Sequence, residues 1–191
     1  MFTKEEQRYG RNKTTVISHG FINSGEYRRK FDNISKDKEL NKLLYTLAKK
    51  MLNHRSGSLY EDMYWIDIDK REIVCEVVDS TVESKIEYTS RIRKIVEKKK
   101  GLLTIHSHPN SFPPSLDDFN SACTNGYGVG IVCGHNGSIF VYQSNEIIPE
   151  ESYYFLMSDF QKAGYNAYDS QLLTLKELSQ RYEIVCRKVG V

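Results

Sequence analysis

The stretch Leu102-Leu103-Thr104-Ile105-His106-Ser107-His108-Pro109 decides how this chain is organised. Its apolar first half has the composition of a buried β-strand. Residues two apart in a strand lie on the same face of the sheet, so the rings of His106 and His108 are expected to converge. The stretch therefore predicts a pair of imidazoles at the end of a core strand.

A carboxylate follows this pair at a short distance along the chain. Beyond a proline-containing loop, the run Ser115-Leu116-Asp117-Asp118 has the polar character of a helix start, and Asn125-Gly126 marks the end of that helix. Two neutral imidazole nitrogens and the carboxylate of Asp118 make a set of three protein ligands, which leaves one position for water. That number is typical of a catalytic Zn²⁺ site and not of a closed structural one. We therefore expect a single zinc ion held by His106, His108 and Asp118.

Length and composition indicate one domain with a modest charge. The chain has 191 residues, of which 39% are hydrophobic, and we interpret 1–36 as an irregular N-terminal extension and 37–191 as the domain. The formal net charge of +2 gives no reason to expect a nucleic-acid or membrane partner. The basic run 91–100 is interpreted as a solvated helix face in preference to a phosphate contact. With no secretory signal and no CxxC pair among four cysteines, we expect a cytoplasmic protein.

Hydrophobic periodicity predicts a mixed α/β domain. Leucines and a methionine at helical spacing predict a helix over 40–51, and apolar runs separated by turn residues predict hairpins over 63–78 and 129–142. Further helices are predicted over 90–99, 115–124, 149–163 and 168–181, and a last edge strand over 184–189. The predicted fold is a central mixed sheet flanked by helices.

These residues resemble the JAMM (MPN+, JAB-domain) zinc metalloproteases, in particular prokaryotic or phage-type members. The pattern of that family is a Glu, then His-x-His-Pro, a loop and Ser-x-x-Asp. The resemblance, which covers roughly residues 40 to 145, implies a cytidine-deaminase-like JAB/MPN fold. It also implies that His106, His108 and Asp118 bind zinc and that Ser115 donates to the oxyanion. Six residues separate His108 from Ser115, where seven are commonest in the family; the Ser-x-x-Asp spacing still favours Asp118 over Asp117.

The family resemblance also implies an upstream glutamate that serves as general base. Glu61 is the choice, because it stands just before the predicted strand 63–69 and 45 positions ahead of His106. Glu76, which lies inside a predicted strand, is the most serious rival. The other rivals are Glu72, Glu83 and Glu87.

The activity implied is hydrolysis of a peptide or isopeptide bond by metal-activated water, with a ubiquitin-like conjugate as one candidate substrate. The alternative is a non-proteolytic JAB/RadC-like binding or DNA-maintenance module. Other His-x-His metal hydrolases need additional His and Asp ligands, and Asn110 and Ser111 stand where the next ones would be. We expect a protein or peptide as substrate and no nucleic acid or membrane partner, and the oligomeric state stays open.

Overall fold

The computed structural model describes residues 12–190, which form a mixed α/β domain. The helices are α1 His19–Ile22, α2 Gly25–Asp32, α3 Lys38–Arg55, α4 Ser90–Val96, α5 Leu116–Asn125, α6 Glu150–Lys162 and α7 Ala167–Leu178. The strands are β1 Met63–Asp67, β2 Glu72–Val77, β3 Leu103–His108, β4 Val129–Gly134, β5 Ile139–Ser144 and β6 Ile184–Lys188. A short 3-10 turn, Lys13–Thr15, precedes α1.

The six strands form one mixed sheet in the order β2-β1-β3-β4-β5-β6. β3 and β4 are parallel, and α5 is the crossover that joins them, whereas the other neighbouring pairs are antiparallel. The predicted mixed sheet flanked by helices is confirmed, and β6 lies at an edge as expected. Because β3 is parallel to β4, the crossover brings the start of α5 back over the end of β3.

Helices cover both faces of the sheet, so that the core has two halves. Alternation along the strands sends Tyr64 and Ile105 towards α1, α2 and α3, and Trp65 and Val132 towards α4, α5, α6 and α7. All four of these residues are fully buried. The end of β3 with its histidines belongs to the second half of the core.

The N-terminal segment departs from the predicted irregular extension. Between residues 12 and 36 it contains α1 and α2, whose residues Ile22, Tyr27 and Phe31 are buried in the same core as α3. Helices of four and eight residues are marginal by propensity, so the packing of these side chains must stabilise them. Residues 1–11 lie outside the described part of the chain, and the domain boundary at residue 37 stays a prediction.

The longer predicted helices have the expected positions. α3 buries Leu40, Leu44, Leu47 and Met51, as its spacing predicts. α4 ends at Val96 and α7 at Leu178, each three residues earlier than expected. The four cysteines carry free thiols. In residues 12–190, no helix combines the length and the apolar character that crossing a bilayer requires.

Candidate metal centre

The two histidines lie on β3, a strand that is paired along both of its edges. β1 is hydrogen-bonded on one side and β4 on the other, so the backbone that carries His106 and His108 is firmly held. The ring centroids of the two histidines are 4.8 Å apart. His106 is buried and His108 is half-buried. The expected convergence of the two rings on one face of the sheet is present.

The first turn of α5 brings Asp118 to the histidines. Ser115 is the N-cap of this helix, and its Oγ accepts a hydrogen bond from the backbone N–H of Asp118 at 3.2 Å. In return, the backbone N–H of Ser115 donates to Asp118 Oδ2 at 2.7 Å. This reciprocal capping box orients the carboxylate towards β3. Asp117 is exposed on the same turn, and the carboxylate near both imidazoles is that of Asp118.

The three candidate ligands form a compact triangle of side chains, in which the two histidines approach different oxygens of the Asp118 carboxylate. His106 Nε2 lies 3.0 Å from His108 Nε2 and 3.2 Å from Asp118 Oδ1, and His108 Nε2 lies 3.4 Å from Asp118 Oδ2. A tetrahedral zinc ion with bonds of about 2.0 Å holds its ligand atoms about 3.3 Å apart. One ligand atom from each residue lies within 4.8 Å of the other two, so the three side chains are close enough to converge on one metal ion.

A backbone carbonyl sets the orientation of the His108 ring. His108 Nδ1 lies 3.0 Å from the carbonyl oxygen of Phe112, which can only accept a hydrogen bond. The proton of a neutral His108 is therefore on Nδ1, and Nε2 has a free lone pair for a metal. His106 Nδ1 is buried and has no hydrogen-bond partner within residues 12–190.

The charges of the triangle are strongly coupled in the metal-free site. Burial lowers the pKa of His108, but its contact with Asp118 and the charges of Glu61 and Asp118 outweigh burial and raise that pKa to about 9. Burial raises the pKa of the Asp118 carboxyl, but the contacts with His106 and His108 outweigh burial and hold that pKa well below the usual range. The metal-free site thus combines a carboxylate with a protonated imidazole, and the proton on His108 must leave before a metal binds.

Glu61 lies beside the triangle, two residues before β1 and in line with the β1–β3 pairing. Met63 is paired with His106, and Ser107 N donates to the carbonyl of Asp62 at 3.1 Å, so the next pair outward is Glu61 and His108. Residues directly opposite in an antiparallel pair share a face of the sheet. Glu61 is 7% exposed, and burial raises the pKa of its carboxyl, although the nearby His108 and His106 partly oppose this. A carboxyl with a raised pKa suits a general base that works near neutral pH.

The rival Glu76 lies on the opposite face of the sheet. It is paired with Tyr64, whose side chain points into the half of the core formed with α3, and its carboxylate lies 3.8 Å from Lys50 Nζ. Glu72 and Glu83 are exposed and do not line the cleft around the histidines, whereas Glu87 is exposed at its rim. Of the five glutamates considered, Glu61 is the one that is buried next to the triangle.

Ser115 is close to the triangle, but its hydroxyl is already hydrogen-bonded to Asp118. Its hydroxyl lies 2.8 Å from Asp118 Oδ2, and it lines the cleft over the histidines. In this arrangement Ser115 orients a candidate ligand, as an N-cap. The oxyanion role implied by the family resemblance stays a prediction, because the hydroxyl proton would have to turn from Asp118 towards a substrate.

Two supporting contacts escaped the sequence analysis. The side-chain Nε2 of Gln171 on α7 donates to the carbonyls of Pro113 and Pro114, at 3.2 and 2.9 Å, and so braces the loop between His108 and Ser115. A buried ion pair between Arg55 and Asp62 anchors the residue that follows Glu61. No sequence pattern indicates Gln171, since its partners are 57 and 58 positions away.

A cleft of about 760 Å³ opens over these residues. Glu61, His106, His108 and Asp118 lie along it. The segment 84–88 and the α5 residues Ser121 and Asn125 also line it. A volume of this order is typical of pockets that bind ligands.

Comparison with protein-family models, with curated proteins and with solved structures finds no match in any of the three. The likeness to the JAMM pattern therefore depends on the motif residues and on the strand and helix that carry them. Within residues 12–190, the one group of three or more His, Cys, Asp or Glu side chains placed to hold a metal ion is His106, His108 and Asp118.

Proposed function

We propose that this protein is a zinc-dependent hydrolase of the JAMM (JAB-domain) type, which cleaves a peptide or isopeptide bond. The observation that carries the proposal is the convergence of His106 Nε2, His108 Nε2 and the Asp118 carboxylate, of which one atom each lies within 4.8 Å of the others. Glu61 stands next to it in the same cleft. These are the residue types and the separations that a hydrolytic zinc site needs.

The composition of the ligand set favours zinc and a catalytic role. Imidazole nitrogens suit Zn²⁺ better than they suit Mg²⁺ or Ca²⁺, which prefer oxygen ligands. Three protein ligands in an open cleft leave a coordination position for water, whereas structural zinc sites are closed by four. Zinc bound there supplies Lewis acidity, which lowers the pKa of a coordinated water to about 7.

Glu61 is assigned the proton transfers. Its carboxylate takes a proton from the attacking water and delivers it to the nitrogen of the departing amine. Within residues 12–190 no side chain or backbone group is hydrogen-bonded to the Glu61 carboxylate, which leaves both oxygens available for that water. Ser115 holds the Asp118 carboxylate in place, and Gln171 holds the loop between His108 and Ser115.

The architecture is compatible with the JAB/MPN fold that the family resemblance implies. Both histidines are on the strand that begins the parallel crossover, and the aspartate is at the start of the crossover helix. The motif residues, just before β1, at the end of β3 and at the start of α5, thus follow the order of the family pattern. The specific fold family is part of this proposal.

The substrate is proposed to be a polypeptide. The cleft of about 760 Å³ is open to solvent and is lined in part by the exposed segment 84–88, so an extended chain can enter from the surface without unfolding the domain. A protein conjugated to a ubiquitin-like modifier is one substrate of this kind, because its isopeptide bond is reached by a flexible tail.

The proposal is tested by metal content together with hydrolysis. The purified protein should contain about one zinc per chain, and a chelator should abolish cleavage of a panel of peptides and ubiquitin-like conjugates, with activity restored by added zinc. Glu61→Gln should keep the zinc and the fold but lose hydrolysis, whereas the matched control Glu76→Gln should retain both. Full activity in Glu61→Gln would overturn the assignment of the base. Bound zinc without cleavage of any conjugate would favour the binding-module alternative.

A further inference from the structure

A concentrated basic surface adjoins the cleft. The segment 85–100, which includes α4, contains seven Lys and Arg residues against two Glu, a net charge of +5 in a chain whose total is +2. The basic residues are Lys85, Arg91, Arg93, Lys94, Lys98, Lys99 and Lys100. The rest of the chain therefore has a net charge of −3, and the net positive charge of the protein comes from this one segment.

Four of these cations form no ion pair or side-chain hydrogen bond within residues 12–190. Lys85 lines the metal cleft. The other three, Arg91, Lys94 and Lys98, are exposed on and just after α4. Their spacing of three and four positions places them along one side of α4 and of the turn after it. They line a shallow groove together with Ser90, Ile95 and Lys99. We refer to this surface as the α4 groove.

Three other cations of the segment, in contrast, have partners within the fold. Lys99 Nζ lies 3.1 Å from Asp67 Oδ2, Lys100 Nζ donates to the carbonyl of Asn125 at 2.9 Å, and Arg93 Nε donates to the carbonyl of Tyr88 at 3.1 Å. These three stabilise the segment itself. The charges of Arg91, Lys94 and Lys98 repel one another without a compensating contact in the fold, so an external anion would relieve that repulsion.

The α4 groove and the metal cleft lie on adjacent sides of the same helix. Arg93, Val96 and Glu97 line the cleft, while Arg91, Lys94 and Lys98 alternate with them and line the groove. A polypeptide that leaves the cleft over α4 therefore passes directly onto the three free cations.

We propose that the α4 groove binds an acidic segment of the protein substrate, next to the bond that is cleaved. This inference rests on the proposed function and specifies its substrate: a polypeptide with Asp and Glu residues near the scissile bond. A nucleic acid fits less well. None of the residues that line the groove is aromatic, so the groove offers no ring for base stacking.

The test is a binding measurement that does not depend on hydrolysis. Fluorescence anisotropy is recorded for a labelled Glu-rich peptide, for its Gln-rich counterpart and for a single-stranded DNA of equal charge, each titrated with the full-length protein at low salt. The variant Arg91→Ala/Lys94→Ala/Lys98→Ala removes the free cations. Its matched control, Lys36→Ala/Lys38→Ala/Lys42→Ala, removes three equally exposed charges from the segment around the start of α3, which packs on the other face of the sheet.

We expect the Glu-rich peptide to bind and the Gln-rich peptide not to bind. The α4 variant should weaken binding of the Glu-rich peptide about tenfold, and the control variant should leave it nearly unchanged. Equal weakening in both variants would overturn the proposal, because binding would then follow net charge alone. Tighter binding of the DNA than of the Glu-rich peptide would overturn it in favour of a nucleic-acid partner. A zinc-free or inactive protein that still binds the peptide through α4 would separate this inference from the proposed hydrolysis.

Discussion

Ser107 and Asp62 are joined by two hydrogen bonds across β1 and β3. Ser107 N donates to the Asp62 carbonyl and Asp62 N donates to Ser107 Oγ, and each donor–acceptor distance is 3.1 Å. Ser107 is the residue between the two histidines, and Asp62 is the residue after Glu61. The two bonds therefore fix the proposed base relative to the proposed ligands. On the other side of the strand, Arg55 holds the Asp62 carboxylate in a buried ion pair.

Replacing Ser107 with alanine should destabilise the protein. Ser107 is fully buried, so Ser107→Ala leaves the Asp62 N–H without its acceptor in a site that excludes water. We expect a loss of about 1 to 3 kcal/mol in the free energy of unfolding, measured by urea denaturation. The matched control is Ser138→Ala, because Ser138 is also buried but its hydroxyl has no hydrogen bond within residues 12–190. Equal losses in the two variants would show that the Ser107–Asp62 bond contributes nothing specific.

Zinc affinity should rise with pH through the neutral range. In the metal-free site the pKa of His108 is raised to about 9, so below that pH His108 carries a proton that zinc must displace. Between about pH 7 and pH 8 the apparent affinity should therefore increase about tenfold, with release of one proton. Calorimetry in buffers of different ionisation enthalpy measures that proton directly. An affinity that stays level over this range would mean that His108 is already neutral before the metal binds.

The parts of the site that sequence predicts are those set by local periodicity. The two-residue spacing of His106 and His108 is sufficient to place both rings on one face of a strand. The run from Ser115 to Asp118 likewise predicts a helix start, and Ser115 is the N-cap found there. The turn Asn136-Gly137 predicts the β4–β5 hairpin because a glycine tolerates the positive φ of 81° found at Gly137.

The parts that sequence does not predict depend on tertiary packing. α1 and α2 are short and contain or begin with glycine, so their residues carry no strong helical pattern, and the burial of Tyr27 and Phe31 decides their structure. The choice between Glu61 and Glu76 also required the strand register. Both glutamates stand in or beside predicted strands. The pairing of Glu76 with Tyr64 is what places Glu76 on the face of the sheet away from the histidines.

Replacing Ser115 with alanine should separate its two candidate roles. The hydroxyl caps α5 and bonds to Asp118 Oδ2, so Ser115→Ala should lower the free energy of unfolding by about 1 kcal/mol and weaken zinc binding. If Ser115 also donates to the oxyanion, the rate of hydrolysis at saturating zinc should fall by a further factor of about 10² to 10³. Ser115→Thr, which keeps the hydroxyl, should retain the cap and most of the zinc affinity. Unchanged zinc affinity in Ser115→Ala would contradict the contact with Asp118.

Gln171 should be needed for tight zinc binding although it touches no ligand. It is buried, and its single side-chain nitrogen donates to the carbonyls of Pro113 and Pro114 in the loop that sets the spacing between His108 and Asp118. Gln171→Leu keeps the volume but removes both bonds, so the loop should become mobile, and zinc should bind about tenfold more weakly in a chelator competition. Gln161→Leu is the matched control, because Gln161 is exposed on α6. If both variants bind zinc as the unmodified protein does, the brace from α7 is not part of the metal centre.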